Sequence, residues 1–179
     1  IEAQLSLKTK KFAENVLDST NAWELVVTDE AELSGLPESA REAARLDALA
    51  NGHGTEEKPE WRFTQKFTSL QPVLQFADSD DLRRKVWEGS CTIGRGGEYD
   101  NEALIAEILD LRDRKARLLG FGTFADYTTS RRMAASGANA LDFVNDLHDK
   151  VKPSFLADME AVRQYKEEKT GKPVEKLSP

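Results

Sequence analysis

The chain has 179 residues with a formal net charge of −7, and its residues are 39% apolar and 32% charged. The length suits one domain of ordinary size with a real core, and no stretch approaches the ~20 apolar residues of a membrane span. The acidic balance argues against the broad basic face of a nucleic-acid-binding protein. Cys91 is the only cysteine, so an intrachain disulfide and a cysteine-based zinc site are excluded.

The two ends of the chain suggest a longer parent protein. The segment from Ile1 to Val16 has no apolar core of the kind found in a signal peptide. The chain starts at Ile1 rather than Met and stops at Pro179 after a polar segment. We therefore expect an excised piece of a larger protein, with trimming of a complete small protein as the alternative. The cytoplasm is the expected location.

The first third of the chain predicts two helices and a strand. Apolar residues that share one helical face indicate a helix over residues 2–21, and residues 23–27 are rich in β-formers. A second helix is expected from Pro37 to about Asn51. Its small apolar side is expected to comprise Ala40, Ala43, Ala44, Leu46 and Leu49.

The next segment predicts a second strand and two short helices. Apolar residues alternate within Trp61–Phe67, which is typical of a half-buried strand, and this strand is expected to pair antiparallel with the first. Pro72 is expected to open a short helix to Ala77, and Asp78 or Ser79 to cap the helix after it. The predicted fold class is therefore mainly α, with a small antiparallel two-stranded element.

The remaining chain predicts a turn and three helices. The turn covers residues 93–97, and the helices are expected over residues 101–119, 123–133 and 138–169. The apolar face of the first is expected to comprise Leu104, Ile105, Ile108, Leu111, Leu118 and Leu119. Pro153 is expected to kink or break the last helix. No repeat or long linker is visible, so residues 1–179 are interpreted as a single mostly helical fragment.

Histidine usage argues against a zinc site within the chain. A metallopeptidase helix carries His-Glu-x-x-His, which places two imidazoles one turn apart beside a glutamate that activates water. The only histidines are His53 and His148, and Lys152 stands where a second histidine would follow His148. Two solitary surface histidines are the favoured interpretation.

The other candidate groups also favour structural roles. Cys91 is interpreted as a small packing residue. The run Gly94–Gly97 lacks the lysine and the preceding strand of a phosphate loop, so it is interpreted as an exposed turn in which Arg95 could meet an acidic group. The basic stripe over 112–117 is expected to pair with nearby carboxylates. Solvated caps and loops are expected for the acidic residues Glu56, Glu57, Asp78, Asp80, Asp81, Glu167 and Glu168. No catalytic, cofactor-binding or metal-binding residue is assigned.

The middle of the chain carries a combination of motifs that is similar to one known family. The motifs are a leucine-rich helix at 104–112, Leu-Leu-Gly-Phe at 118–121, Phe-Ala-Asp-Tyr at 124–127 and Met-Ala at 133–134. With flanking segments in the same order, at 12–18, 33–37, 61–72 and 141–153, they resemble the family of zinc metallopeptidases that includes thimet oligopeptidase, oligopeptidase A and peptidyl-dipeptidase.

The resemblance implies a role for the chain within a larger enzyme. Family members are mostly helical, and their two halves flank a deep channel that admits short peptides. Their zinc is held by His-Glu-x-x-His and a downstream glutamate, all located after the region that this chain covers. The chain is therefore expected to be a non-catalytic helical part of the channel wall, inactive alone, with zinc in the full-length parent. The expected partners are short peptides and the catalytic half of the same polypeptide, without nucleic acid or membrane.

The sequence leaves the role of four aromatic residues undecided, and it allows two other functions. The residues Trp61, Phe63, Phe124 and Tyr127 are either wall or core residues, and core is the commoner role for aromatics at such spacings. The chain could alternatively be a stand-alone helical protein-interaction module without catalysis. A third hypothesis is an independent enzyme that uses Cys91 or a histidine–carboxylate site.

Overall fold

The computed structural model describes residues 1–175 and 177, and its elements confirm the predicted fold class. The helices are α1 (Glu2–Ala22), α2 (Glu38–Ala50), α3 (Phe67–Phe76), α4 (Asp80–Cys91), α5 (Glu102–Leu118), α6 (Phe124–Thr129) and α7 (Gly137–Thr170). The strands are β1 (Glu24–Val27) and β2 (Trp61–Thr64), and two short 3₁₀ helices cover Glu30–Leu33 and Gly97–Tyr99. In the described part of the chain, no helix is long and apolar enough to cross a membrane.

Contacts along the chain group it into two compact units. The hairpin unit comprises residues 6–107, and the long-helix unit comprises residues 1–5 together with the described residues 108–175 and 177. The interpretation of residues 1–179 as a single fragment stays a prediction.

The core of the hairpin unit lies between the two strands and helices α2, α3 and α4. The strands pair antiparallel, with Glu24 opposite Thr64 and Val27 opposite Trp61, as predicted. Phe63 is fully buried in this core, where Leu82 and Val86 of α4 are also buried. A two-stranded sheet alone is marginally stable, so these helices supply the apolar cover that the strands need.

A buried pair of asparagines joins α1 to the start of α5. The side-chain Nδ2 of Asn15 donates to Oδ1 of Asn101 (3.0 Å), and Nδ2 of Asn101 donates to the carbonyl of Phe12 (3.2 Å). The backbone N–H of Asn101 also donates to the carbonyl of Gly94. Asp100 caps the helix as predicted, because its side chain accepts from the N–H of Glu102 (3.0 Å). Helix α5 begins at Glu102 rather than at Asn101, whose side chain belongs to the asparagine pair.

Several boundaries and faces in the hairpin unit differ from the predictions. The strand prediction through Phe67 was wrong, because the N–H of Thr64 donates to Oγ of Ser69 (3.0 Å) and the chain turns into α3 there. Pro72 lies inside α3 instead of opening it, because the helix already begins at Phe67. The carbonyl of Lys66 accepts from the N–H groups of Ser69 and Leu70 in its first turn.

The predicted face of α2 was also partly wrong. Ala44 and Ala48 are the buried residues of this helix, and Ala43 and Leu46 are exposed. Positions 44 and 48 lie one turn apart on the face that covers the sheet, whereas position 46 lies on the opposite side.

The α5 face differs in the same way. Ile108 and Leu111 are buried as predicted, whereas Leu118 is exposed at the last helical residue. Ile105 and Leu119 are exposed as well, because each lines an open cavity.

Helix α7 runs without a break through Pro153. Of the predicted kink or break, the break was therefore wrong, although the helix has no N–H at that position to donate to the preceding turn. Ser136 caps its start by accepting from the N–H of Asn139, and Gly171 ends it in the left-handed conformation. At about 1.5 Å per residue, the 34 residues of α7 extend over about 51 Å.

Candidate functional site

An open cavity lies in the long-helix unit where α5 gives way to α6. We call it the arginine cavity, and its volume is about 550 Å³. Its lining residues are Leu119, Phe121, Tyr127, Thr128, Ser130, Arg131 and Arg132. Gly120 permits the sharp exit from α5 with φ +84°, and the N–H of Phe121 donates to the carbonyl of Ala116. This exit brings Phe121 back against α6.

Aromatic packing fixes the apolar side of the arginine cavity. The rings of Phe121 and Tyr127 meet edge to face, with centroids 5.5 Å apart and planes at 68°. Phe124 packs on the same tyrosine at 5.7 Å. Nζ of Lys115 lies 5.1 Å from the centroid of the Tyr127 ring, and the guanidinium of Arg112 lies 5.3 Å from that of Phe124. Such edge and cation contacts hold the rings in defined orientations.

The loop that carries the two arginines lies between α6 and α7, and a side chain of α6 joins these two helices. Oδ1 of Asp126 accepts from the N–H of Gly137 (2.9 Å), and Oδ2 accepts from the hydroxyl of Thr123 (2.8 Å). The hydrogen bond from Gly137, followed by that from Thr123, holds the pKa of Asp126 below its usual range. Asp126 therefore links the first turn of α6 to the start of α7.

Arg131 and Arg132 are exposed and have no ion pair among the residues that the structure describes. Seven other arginines of the described chain do form ion pairs: Arg41, Arg45, Arg62, Arg83, Arg114, Arg117 and Arg163. Beyond them, Ala135 adopts φ +61°, a conformation that costs a residue with a Cβ of the order of 1 kcal/mol or more. The loop thus presents two uncompensated charges on a constrained backbone.

The second notable surface is one side of helix α7, which we call the α7 apolar face. It comprises Leu141, Val144, Leu147, Val151, Phe155, Val162 and Tyr165. All seven fall on one side of a 3.6-residue helix, yet each is between 49% and 61% exposed. Its central stretch forms an open groove of about 440 Å³ that His148 and Lys152 border. An apolar helix face normally lies against another element, and here it faces outward.

The two histidines occupy different units and do not form a metal site. His53 lies in the hairpin unit with Nε2 3.6 Å from Oε1 of Glu24, and His148 lies on α7. Glu24 is engaged by Arg62 (2.6 Å), which lowers the pKa of that carboxyl and in turn pairs with Asp47 (2.6 Å). Within residues 1–175 and 177, no group of three His, Cys, Asp or Glu side chains is placed to hold a metal ion. The donors present therefore do not fit a zinc centre.

The remaining candidates lie mostly where the sequence indicated. Cys91 is exposed at the end of α4, so its interpretation as a packing residue was wrong. Arg95 is exposed in the glycine turn, and the described part of the chain contains no ion pair for it. The basic stripe pairs with carboxylates as predicted, through Arg114–Asp110 and Arg117–Asp113 among others.

The structure also shows the surroundings of the carboxylates and aromatic residues that the sequence analysis named. Asp80, Asp81 and Glu167 form surface ion pairs, and Asp78 accepts from the hydroxyl of Ser34. Trp61 and Phe63 are buried core residues, whereas Phe124 and Tyr127 are half-buried. Of the four aromatics, only Tyr127 lines the arginine cavity.

Sequence reasoning did not single out Arg131, Arg132 or the α7 apolar face. Two adjacent arginines between the helix caps Thr123 and Ser136, in a chain of net charge −7, were the available signal for the cavity. The 3.6-residue apolar periodicity of α7 was readable, but periodicity alone does not distinguish a covered face from an open one.

Comparison with known proteins agrees with this architecture. The profile of peptidase family M3 matches residues 73–179. Oligopeptidase A of Haemophilus influenzae is 34% identical over all of this chain and 26% of its own length, and that of Escherichia coli is 33% identical over the same shares. Probable cytosolic oligopeptidase A of Arabidopsis thaliana is 38% identical over 75% of this chain and 19% of its own length.

The matched relatives are much longer than this chain. The chain spans about a quarter of the length of the bacterial relatives that it matches. The profile match covers more than half of the chain, from helix α3 onward, and the bacterial relatives align over the whole of it. The chain therefore belongs to peptidase family M3.

Proposed function

We propose that the chain is a non-catalytic helical part of a zinc metallo-oligopeptidase that hydrolyses short peptides, and that it forms part of the substrate-channel wall. The α7 apolar face carries this proposal. It is an amphipathic helix side left open in a chain that aligns with a quarter of the length of its relatives. The occupant we propose for this face is the remainder of the same polypeptide, including its catalytic half.

The energetics support a partner for this face. Burying one large apolar side chain stabilises a protein by about 1.5–3 kcal/mol relative to leaving it exposed. Seven such residues are roughly half exposed on one side of α7, and contiguous exposed apolar surface of this kind marks an interaction site. The ion pair of Lys150 with Asp146 lies on the other side of the helix.

Catalysis is assigned to the part of the parent that lies outside this chain. Because the described side chains do not fit a zinc centre, we place the zinc of the proposed enzyme elsewhere in the polypeptide. The chain alone is then inactive toward peptides. Its proposed role is to shape the channel and limit the size of what enters, with short peptides as the substrates that reach the catalytic half.

The location and the partners belong to the same proposal. We propose a cytoplasmic parent enzyme, in keeping with the name of the probable cytosolic oligopeptidase A of Arabidopsis thaliana. The net charge of −7 supports a protein that works without nucleic acid, because a polyanion would be repelled. A membrane partner is likewise not proposed.

A chimera tests the proposed function. This chain replaces the aligned segment of Haemophilus influenzae oligopeptidase A, and cleavage of a fluorescence-quenched octapeptide is measured with and without a zinc chelator. We expect chelator-sensitive cleavage by the chimera and none by the 179-residue chain alone. Cleavage by the chain alone that a chelator abolishes would contradict the proposal.

Variants of α7 test the proposed contact. Phe155→Asp in the chimera places a charge on the α7 apolar face and should abolish activity and cooperative melting together. Ala157→Asp is the matched control, because Ala157 is exposed on the opposite side of the same helix, and it should leave both intact. A fully active Phe155→Asp chimera would show that the face is not covered in the enzyme, and would favour an interaction module instead.

A further inference from the structure

We propose that the arginine cavity binds the C-terminal carboxylate of a short peptide whose last residue is large and apolar. The inference rests on the proposed function and deepens it by naming the part of the substrate that this chain recognises. It concerns Arg131 and Arg132 for the carboxylate, and Leu119, Phe121 and Tyr127 for the terminal side chain.

The charge distribution calls for an anion. Arg131 and Arg132 are neighbours in sequence, both line the cavity, and neither has an ion pair in the described part of the chain. Two uncompensated guanidinium groups repel each other, and one anion between them removes this repulsion. Arginine is also suited to planar carboxylates, because its fork of N–H donors matches the two oxygens.

The apolar side of the cavity selects among anions. Leu119 and the rings of Phe121 and Tyr127 face the same space as the two arginines. A free phosphate would contact the arginines and leave this wall wet, whereas a peptide terminus ending in Phe or Leu would use both. The volume of about 550 Å³ lies within the ~300–1,000 Å³ typical of small-molecule sites.

Hydroxyl groups at the rim can accept from the peptide backbone. The Ser130 hydroxyl donates to the carbonyl of Tyr127 (2.9 Å), and the Thr128 hydroxyl donates to the carbonyl of Phe124 (3.1 Å). Because each hydroxyl already donates its hydrogen to a carbonyl of α6, its oxygen remains available as an acceptor. The N–H of the terminal peptide residue is the donor that such an oxygen would meet.

The loop is already ordered for binding. The N–H of Arg132 donates to the carbonyl of Thr129 (2.8 Å), and the carbonyl of Arg132 accepts from the N–H of Ala135 (2.9 Å). Ala135 is held at φ +61°, and backbone strain of this kind persists where surrounding contacts enforce it, often at ligand sites. A fixed loop loses little entropy when a ligand binds.

The experiment compares two peptides that differ only at their last group. The 179-residue chain is titrated with N-acetyl-Ala-Ala-Phe as the free acid, with the C-terminal amide of the same peptide, and with inorganic phosphate, by calorimetry and amide NMR shifts. We expect the free acid to bind at least about tenfold more tightly than the amide. We also expect it to bind more tightly than phosphate.

Variants locate the site. Arg131→Gln with Arg132→Gln should weaken the free acid about tenfold or more and leave the amide unchanged. Arg95→Gln, which removes an exposed arginine from the glycine turn of the other unit, should have no effect. Equal affinity for acid and amide, no measurable binding of the acid, or phosphate binding as tightly as the peptide would each overturn the inference.

The chimera separates failure of this inference from failure of the proposed function. With the two arginines replaced by Gln, we expect the KM for the free-acid peptides to rise and the kcat for C-terminally amidated peptides to stay unchanged. An active chimera with unchanged KM for both peptides would overturn the carboxylate site alone. An inactive chimera whose isolated chain still binds the free acid would overturn the proposed function alone.

Discussion

Gly89 provides a sharp test of the packing in the hairpin unit. It is a buried residue of α4, and a Cβ built on it would lie 2.3 Å from Cε2 and 2.5 Å from Cζ2 of Trp23. Contacting carbon atoms prefer separations of about 3.5–4.0 Å. The Gly89→Ala substitution therefore forces the Trp23 indole, which packs on the buried core, to move by more than 1 Å.

Two opposing effects set the size of the change. Alanine improves the helix by about 1 kcal/mol relative to glycine, whereas overpacking a core typically costs about 1–3 kcal/mol. The overlap with a rigid indole places Gly89→Ala toward the upper end of that cost. We expect a net loss of about 1–2 kcal/mol in the free energy of unfolding, equivalent to a fall in Tm of roughly 2–8 °C.

The assay is a double-mutant cycle with Trp23→Leu, followed by urea unfolding and thermal melting. Once the indole is gone, Gly89→Ala should no longer be destabilising and should gain up to about 1 kcal/mol from helix propensity. The sign of its effect therefore reverses between the two backgrounds. An equal effect in both backgrounds, or stabilisation of the wild-type chain, would refute the packing argument.

Three other substitutions test the buried Asn15–Asn101 pair, the hydrogen bond between Asp126 and Gly137, and Pro153. Asn101→Leu leaves the buried Nδ2 of Asn15 without its acceptor and should cost about 1–3 kcal/mol in urea unfolding, a loss that the Asn15→Leu and Asn101→Leu double variant should partly recover. The pKa of Asp126 is lowered in the folded chain, so its contribution to stability is complete above the unfolded value of about 3.9 and is lost as the pH falls through the folded value. Asp126→Asn should therefore lower Tm at pH 7, and its difference from the wild type should shrink as the pH falls below about 3.9. A difference that does not change with pH would contradict the role of the hydrogen bond from Gly137. Pro153→Ala should increase the free energy of unfolding by up to about 3 kcal/mol through helix propensity and so raise Tm, and an unchanged or lower Tm would contradict this expectation.

Local patterns predicted most of the hairpin unit. Strand pairing and the Ser79 cap follow from alternation and capping chemistry. One boundary was wrong where a side chain formed a hydrogen bond with the backbone of a residue several positions earlier. The hydroxyl of Ser69, which accepts from the N–H of Thr64, ended the second strand early, and no periodicity reports such a bond.

The arginine cavity illustrates a different limit of sequence reasoning. Each part of it was visible: the Gly120 stop, the Thr123 cap and the adjacent pair Arg131 and Arg132. Their convergence depends on the return of Phe121 against Tyr127 and on the clamp between Asp126 and Gly137. These are tertiary contacts, and the absence of ion pairs at the two arginines becomes evident only once every neighbouring carboxylate has been placed.

The α7 apolar face shows how a sequence pattern can disagree with observed burial and still be informative. Periodicity predicts that Val144, Val151 and Phe155 face a common neighbour, yet all three are more than half exposed. The same period matches burial on α4, where Leu82 and Val86 lie one turn apart and are both buried. Because the period matches burial on α4 but not on α7, the exposed α7 face points to a missing neighbour rather than to a faulty rule. This contrast supports the proposal that the remainder of a longer polypeptide covers α7.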